Sequence, residues 1–209
     1  MKNFGQYNNE YKFSECFWGE EPAKYVKKVL DYIKTGNVLD LGAGDGKNSF
    51  FLAKNGFNVT AVEISPYAVK NFINRLIKEE ENNEGVYVNN INVILSDVTK
   101  FIPTTNYDLV VSYGLLHCFD SEKTISEIIQ KMKNCTNKNG INVICTFTNS
   151  LPVPEVQKYL EPTLLPGKNF LEYYKDWEII SFEEDIIEHK HPTHKVMHKH
   201  SVCRLIAKK

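Results

Sequence analysis

At 209 residues, with 42% hydrophobic and 24% charged side chains, the chain has the make-up of one globular domain and is short for two well-buried cores. A formal charge of -1 lacks the basic excess that grips a phosphate backbone, and no run approaches the roughly 20 apolar residues of a membrane span, so neither nucleic acid nor membrane is expected as a partner. The cysteines Cys16, Cys118, Cys135, Cys145 and Cys203 are widely spaced without a C-x-x-C pair, and the amino-terminal MKNFGQYNNEYKF lacks the apolar core of a signal peptide; both predict reduced thiols in the cytoplasm.

The first 19 residues concentrate Tyr7, Tyr11, Phe13, Phe17 and Trp18. They are read either as an aromatic lid over a ligand site or as a hydrophobic flap packed on the domain. From residue 20 onward strand and helix signals alternate, the pattern of a parallel sheet covered on both faces. A helix is predicted from about Pro22 to Gly36, a strand over 37–41, a helix over 47–55 closed by Gly56, and a strand over 58–63. Ser65 and Pro66 read as the cap and first residue of a helix carrying Val69, Phe72, Ile73, Leu76 and Ile77 at spacings of three and four. Beyond the polar EEENNEG come strands at 91–95 and 107–112, a helix from about Ser121 to Thr136, and a strand at 141–148. These apolar runs do not alternate, as doubly covered strands should not. A proline-rich excursion over 149–169 precedes a short helix, FLEYYKD, and two β-rich segments, 177–188 and 195–207, form an antiparallel hairpin around Pro192. No repeat or linker divides residues 1–209, so a single domain is expected.

The stretch VLDLGAGDG (38–46) places a glycine turn between strand and helix. A dinucleotide turn wants G-x-G-x-x-G, and Lys47 stands where its third glycine belongs, which argues against a nicotinamide enzyme. Two acids fill the frame instead: Asp40 inside the first strand and Glu63 at the end of the second. That pair suits a ligand with a cationic amino group at one end and a ribose diol at the other.

The pattern resembles motif I of the class I S-adenosylmethionine-dependent methyltransferases. With AVE ending the second strand, SDV after the third and YDLVVS as the fourth, the resemblance covers most of the chain. It implies an α/β fold with a doubly wound, Rossmann-like seven-stranded sheet of order 3-2-1-4-5-7-6, last strand antiparallel, and S-adenosylmethionine as cofactor, leaving as S-adenosylhomocysteine. By position, Gly42, Ala43, Gly44 and Gly46 approach the methionine part, Glu63 beside Ile64 takes the ribose hydroxyls, and Asp97 with Val98 lies against the adenine, with Ser112 ending the fourth strand. Asp40 either touches the ligand or satisfies the N–H groups of the turn, and Asp97 alternatively caps a loop. GKNSFFLAKNGF, GKNFLEYYKDWEIISFEED and the final RLIAKK look like the tellurite-resistance type of small methyltransferase, which acts on small molecules or oxyanions. The closing hairpin departs from that group, with histidine where arginine is expected beside the substrate.

On the acceptor side, Tyr113 and His117 follow the fourth strand, His117 being either a general base or a packed histidine. Tyr7, Tyr11 and Trp18 join Tyr113 and His117 as expected substrate contacts. The segment EHKHPTHKVMHKH sets five histidines between His189 and His200. With a two-residue turn at Thr193 and His194, His191 opposes Val196, His189 opposes His198, and His189, His191, His198 and His200 share one face. Such imidazoles face a substrate, titrate near neutrality, bind zinc or another borderline metal, or simply decorate a solvated hairpin. His117, His191, His198 and His200 are the catalytic candidates. No metal is required for the transfer, and this hairpin is where one would sit.

The expected function is therefore methyl transfer to an O, N or S nucleophile of a small metabolite or natural product, by a monomer or homodimer. A tellurite- or selenite-type oxyanion is the alternative acceptor, and a non-enzymatic histidine-rich metal-binding protein is the alternative class.

Overall fold

Along each inner strand of the computed structural model, successive apolar side chains drop to opposite faces of one sheet; residues 4–13, 15–81, 85–191 and 194–209 are described. The strands are β1 (Gly36–Leu41), β2 (Phe57–Glu63), β3 (Ile91–Leu95), β4 (Tyr107–Tyr113), β5 (Thr136–Phe147), β6 (Glu178–His191) and β7 (His194–Lys208). Their order is β3-β2-β1-β4-β5-β7-β6, as the resemblance implied. β1 to β5 pair in parallel, while β7 runs antiparallel to both β5 and β6.

The helices are α1 (Phe4–Tyr11), α2 (Lys24–Lys28), α3 (Lys47–Lys54), α4 (Pro66–Glu81), α5 (Glu122–Asn134) and α6 (Gly167–Tyr173). One face packs Val38, Val59 and Val111 under Tyr25 and Val26 of α2, Phe50 of α3 and Phe72 of α4. The other packs Leu39, Leu41 and Val110 under Ile125, Ile128 and Met132 of α5 and Phe170 of α6. Burial on both faces is what made these strands read as continuous apolar runs.

Several expectations need correction. The helix expected from Pro22 to Gly36 is only α2 followed by a 3-10 turn at Val29–Asp31, and Gly36 opens β1. A Cβ at Gly36 would lie 2.6 Å from the Asp108 carboxylate, so the glycine serves the strand start. β5 begins at Thr136, not 141, pairing first with Tyr107 before an irregularity that includes the positive-φ Asn139. On α4, Ala68, Val69 and Phe72 are buried, but Ile73 and Ile77 are exposed.

The hairpin register differs at its tip. His189 pairs with His198 as expected, but a shift follows and His191 pairs with His194, not Val196. Pro192 and Thr193 lie outside the described residues, as do the side chains of His191 and His194, so the turn expected at Thr193 and His194 is not described. β7 leaves β5 at Val202, opposite Phe147, so its earlier residues and the end of β6 run on as a two-stranded arm.

Candidate functional site

Parallel strands turn out of the sheet at one edge, and β1 has its neighbours β2 and β4 connected in opposite directions, the place where open α/β sheets hold ligands. A cavity of about 290 Å³ lies there, against Gly42 after β1, Glu63 ending β2, Asp97 after β3, Tyr113 ending β4 and Phe147 ending β5.

The glycine turn is held by its own residues. Gly44 has φ 59°, and a Cβ there would sit 2.7 Å from the Tyr11 hydroxyl. Gly46 has φ 90°, and its Cβ would meet the Phe72 ring at 2.5 Å. Glu63, buried, accepts from the N–H of Gly44 at 2.9 Å through Oε2, and from Ile64 at 2.9 Å and Ser65 at 2.8 Å through Oε1. Burial raises its carboxyl above the ordinary value, and these three N–H groups oppose the rise. A carboxylate already fixed by backbone donors needs little reorganisation to receive a diol. Asp97 caps its own turn, accepting from the Thr99 N–H at 2.8 Å, and also lines the cavity.

Asp40 is buried. It lies beneath the turn, outside the cavity lining, and accepts from the Ser49 hydroxyl at 2.7 Å, tying α3 to β1. Burial pushes its carboxyl up to about 6, with the Ser49 hydrogen bond opposing and the charge of Glu63 adding to the rise. Gly46 and Ser112 also stand outside the lining, Gly46 against Phe72 and Ser112 fully buried. Ala43, Ile64 and Val98 line it together with Gly42 and Gly44.

The amino-terminal segment covers this end. Tyr7, Tyr11 and Trp18 line the cavity, and the Trp18 Nε1–H donates to the Tyr11 hydroxyl at 2.9 Å. The segment is fastened by the Ser65 hydroxyl donating to Asn8 at 2.8 Å, by the Asn71 amide donating to the Tyr11 carbonyl at 2.9 Å, and by Lys47 donating to the Trp18 carbonyl at 3.1 Å. Across the opening, the excursion over 149–169 forms a 3-10 helix at Glu155–Leu160 that sets Gln157 and Leu160 into the lining. Its Tyr159 hydroxyl donates to Glu10 at 3.1 Å, joining the two covers.

The far wall is built by β4, β5 and the hairpin. Tyr113, His117, Cys118, Cys145, His189 and Arg204 line it. His117 is buried in a 3-10 turn with Nδ1 at 3.2 Å from the Thr146 hydroxyl. Its ring packs on Phe147 at 4.2 Å between centroids, and Phe147 stacks at 4.0 Å on His200. His189, His198 and His200 come together, with centroids 5.0 to 5.2 Å apart. Of these three, His189 lines the cavity, while His198 and His200 are outside its lining. Burial first, then His198, lowers the His189 pKa and favours its neutral form.

Arg204 was not singled out in the sequence. It lies opposite Cys145 and Glu183 in the strand ladder and 3.9 Å from the Glu183 carboxylate. The signal was present as one charge inside the apolar run SVCRLIA. Arg204 thus lines the far wall of the cavity together with His189 of the hairpin. Glu63, Asp45 and Asp97 outnumber Lys47 at the glycine-turn end of the cavity, and Arg204 stands at the far end.

A family model described as tellurite resistance protein TehB matches residues 7–199. A Haemophilus influenzae protein named probable S-adenosyl-L-methionine-dependent methyltransferase TehB is 33% identical over 166 residues, 78% of this chain and 53% of that protein. The crystal structure of TehB from Haemophilus influenzae superposes with a TM-score of 0.75 at 28% identity, covering 96% of this chain and 66% of that one. The N-methyltransferase NodS from Bradyrhizobium japonicum, in complex with S-adenosyl-L-homocysteine, superposes with a TM-score of 0.71 over 99% of this chain and 97% of its own, a likeness of fold at 10% identity. The chain spans about half the length of the curated relatives it matches. No helix among the described residues is long and apolar enough to cross a membrane.

Proposed function

Because the chain belongs to the tellurite resistance protein TehB family, we propose that it is an S-adenosylmethionine-dependent methyltransferase with a small-molecule acceptor. The observation that carries this reading is Glu63, a buried carboxylate fixed at the end of β2 by three backbone N–H groups and facing the cavity beside Gly44. Such a group fits a ribose diol, the bare glycine turn fits the methionine part, and Asp97 with Val98 fits the adenine. When bound, the sulfonium cofactor supplies an activated methyl whose leaving group departs neutral.

The chain's own part is alignment and exclusion of water. The amino-terminal segment and the 149–169 excursion cover the cavity, and the acidic donor end favours a cationic ligand. His117, the general-base candidate on the far wall, already accepts the Phe147 N–H at Nδ1 (3.4 Å) beside the Thr146 hydroxyl, so its neutral ring carries the proton on Nε2 and suits holding an acceptor by a hydrogen bond more than taking its proton. A metabolite or natural product is the leading acceptor. The second reading, a tellurium or selenium oxyanion, is favoured by Arg204, whose guanidinium lies on the cavity wall. The same reading places the protein in the cytoplasm, working as monomer or homodimer without nucleic acid or membrane.

Calorimetric titration with S-adenosylhomocysteine tests the donor half. Micromolar binding is expected, and Glu63→Ala should weaken it roughly ten-fold to a hundred-fold, about 1.5 to 3 kcal/mol. Circular dichroism must accompany the variant, since it also strips three buried N–H groups of their acceptor. Absence of heat with the folded wild-type protein would overturn the reading.

A further inference from the structure

The proposed methyl transfer leaves the histidine triangle of the hairpin without a task. His189, His198 and His200 each offer a ring nitrogen, and these atoms all lie within 4.8 Å of one another. Their backbone is fixed by the ladder, because His189 pairs directly with His198 and His200 follows on the same face of β7. His198 and His200 are buried, and Phe147 stacking at 4.0 Å holds the His200 ring.

The tautomer of one ring can be assigned from its partner. His198 Nδ1 lies 2.9 Å from the Val196 carbonyl, which can only accept, so Nδ1 carries the proton and Nε2 keeps its lone pair. A histidine that donates one ring N–H to a backbone carbonyl while presenting the other nitrogen is the arrangement in which imidazole ligates metal. Among the described residues no thiol or carboxylate joins the group, and three neutral imidazoles select borderline ions over calcium or magnesium.

We propose that His189, His198 and His200 form a three-histidine site for a borderline divalent cation such as zinc, cobalt or nickel. Three protein ligands leave a coordination position for water or an acceptor heteroatom. Because His189 also lines the cavity, the ion stands at the acceptor wall and not at the donor end. Metal binding itself does not depend on the methyltransferase reading.

The test is a titration of the metal-stripped full chain with cobalt(II), without cofactor, followed by visible absorption. One equivalent should give a ligand-field band of low coordination number, and zinc should displace it. His198→Gln and His200→Gln should each lower affinity roughly a hundred-fold or more while S-adenosylhomocysteine binding stays within about two-fold. Should either variant fail to fold, imidazole NMR of the wild-type protein decides. Zinc should then shift the ring signals of His189, His198 and His200 and leave His117 in place. No saturable cobalt binding, binding undiminished in folded variants, or zinc shifts confined to other histidines would overturn the site.

Discussion

The donor end and the acceptor end of the cavity are held by different kinds of structure. The proposed donor end rests mostly on one strand, turn, helix and strand, Gly36 to Glu63, with Asp97 and Val98 added after β3, and its bonds tie Glu63 to Gly44, Ile64 and Ser65 and Ser49 to Asp40. The acceptor end gathers His117, Cys145, Gln157, His189 and Arg204 from segments far apart in the chain. A site built locally must be conformationally strict at each residue, whereas one assembled from distant strands can exchange a side chain without disturbing the frame.

Three substitutions probe that contrast, taken from the largest expected effect downward. Gly46→Val should cost about 2 to 5 kcal/mol of folding stability, because it adds left-handed backbone strain to a Cβ 2.5 Å from Phe72. Urea unfolding checks this, and a cost under about 1 kcal/mol would show that the turn is not strict. Asp40→Asn should act in the other direction and depend on pH. Folding holds the Asp40 proton up to about pH 6 while the unfolded chain releases it near 3.8, so stability falls as pH rises through that window. The cost is complete above it, at roughly 3 kcal/mol. Asparagine removes it, so thermal midpoints should rise at pH 7.5 and barely change at pH 4. An equal shift at both values would mean that folding does not raise the Asp40 pKa.

Arg204→Met should be the mildest for the frame, below about 1 kcal/mol, since its ion pair with Glu183 is long and partly solvated. Affinity for S-adenosylhomocysteine should stay within about two-fold, while turnover of an anionic acceptor should drop. Loss of donor affinity as large as that expected for Glu63→Ala would erase the distinction between the two ends.

The same contrast explains what the sequence disclosed. Gly42, Gly44 and Glu63 were readable because a turn between two apolar strands fixes their relations within a short span. Asp40 was readable as important but not as hidden, since whether a strand residue faces ligand or helix depends on what packs above it, here Ser49 of α3. Strand order came from the resemblance, not from the residues. Arg204 was passed over because its neighbours, Cys145 and Glu183, become neighbours only through sheet register. The histidine triangle was half legible: period two put His189, His198 and His200 on one face, but the shift beyond His189 depends on the tip. Ile73 and Ile77 show the limit of helical periodicity, which finds a stripe but not how far its cover extends.

β7, late in the chain, lies inside the sheet between β5 and β6. A growing polypeptide therefore displays β5 with an open edge, and β6 without its partner, until residues up to Lys208 have left the ribosome. The strand, turn, helix and strand from Gly36 to Glu63 are complete in sequence long before that moment. A stalled chain ending before β7 would expose the strand edges most prone to association.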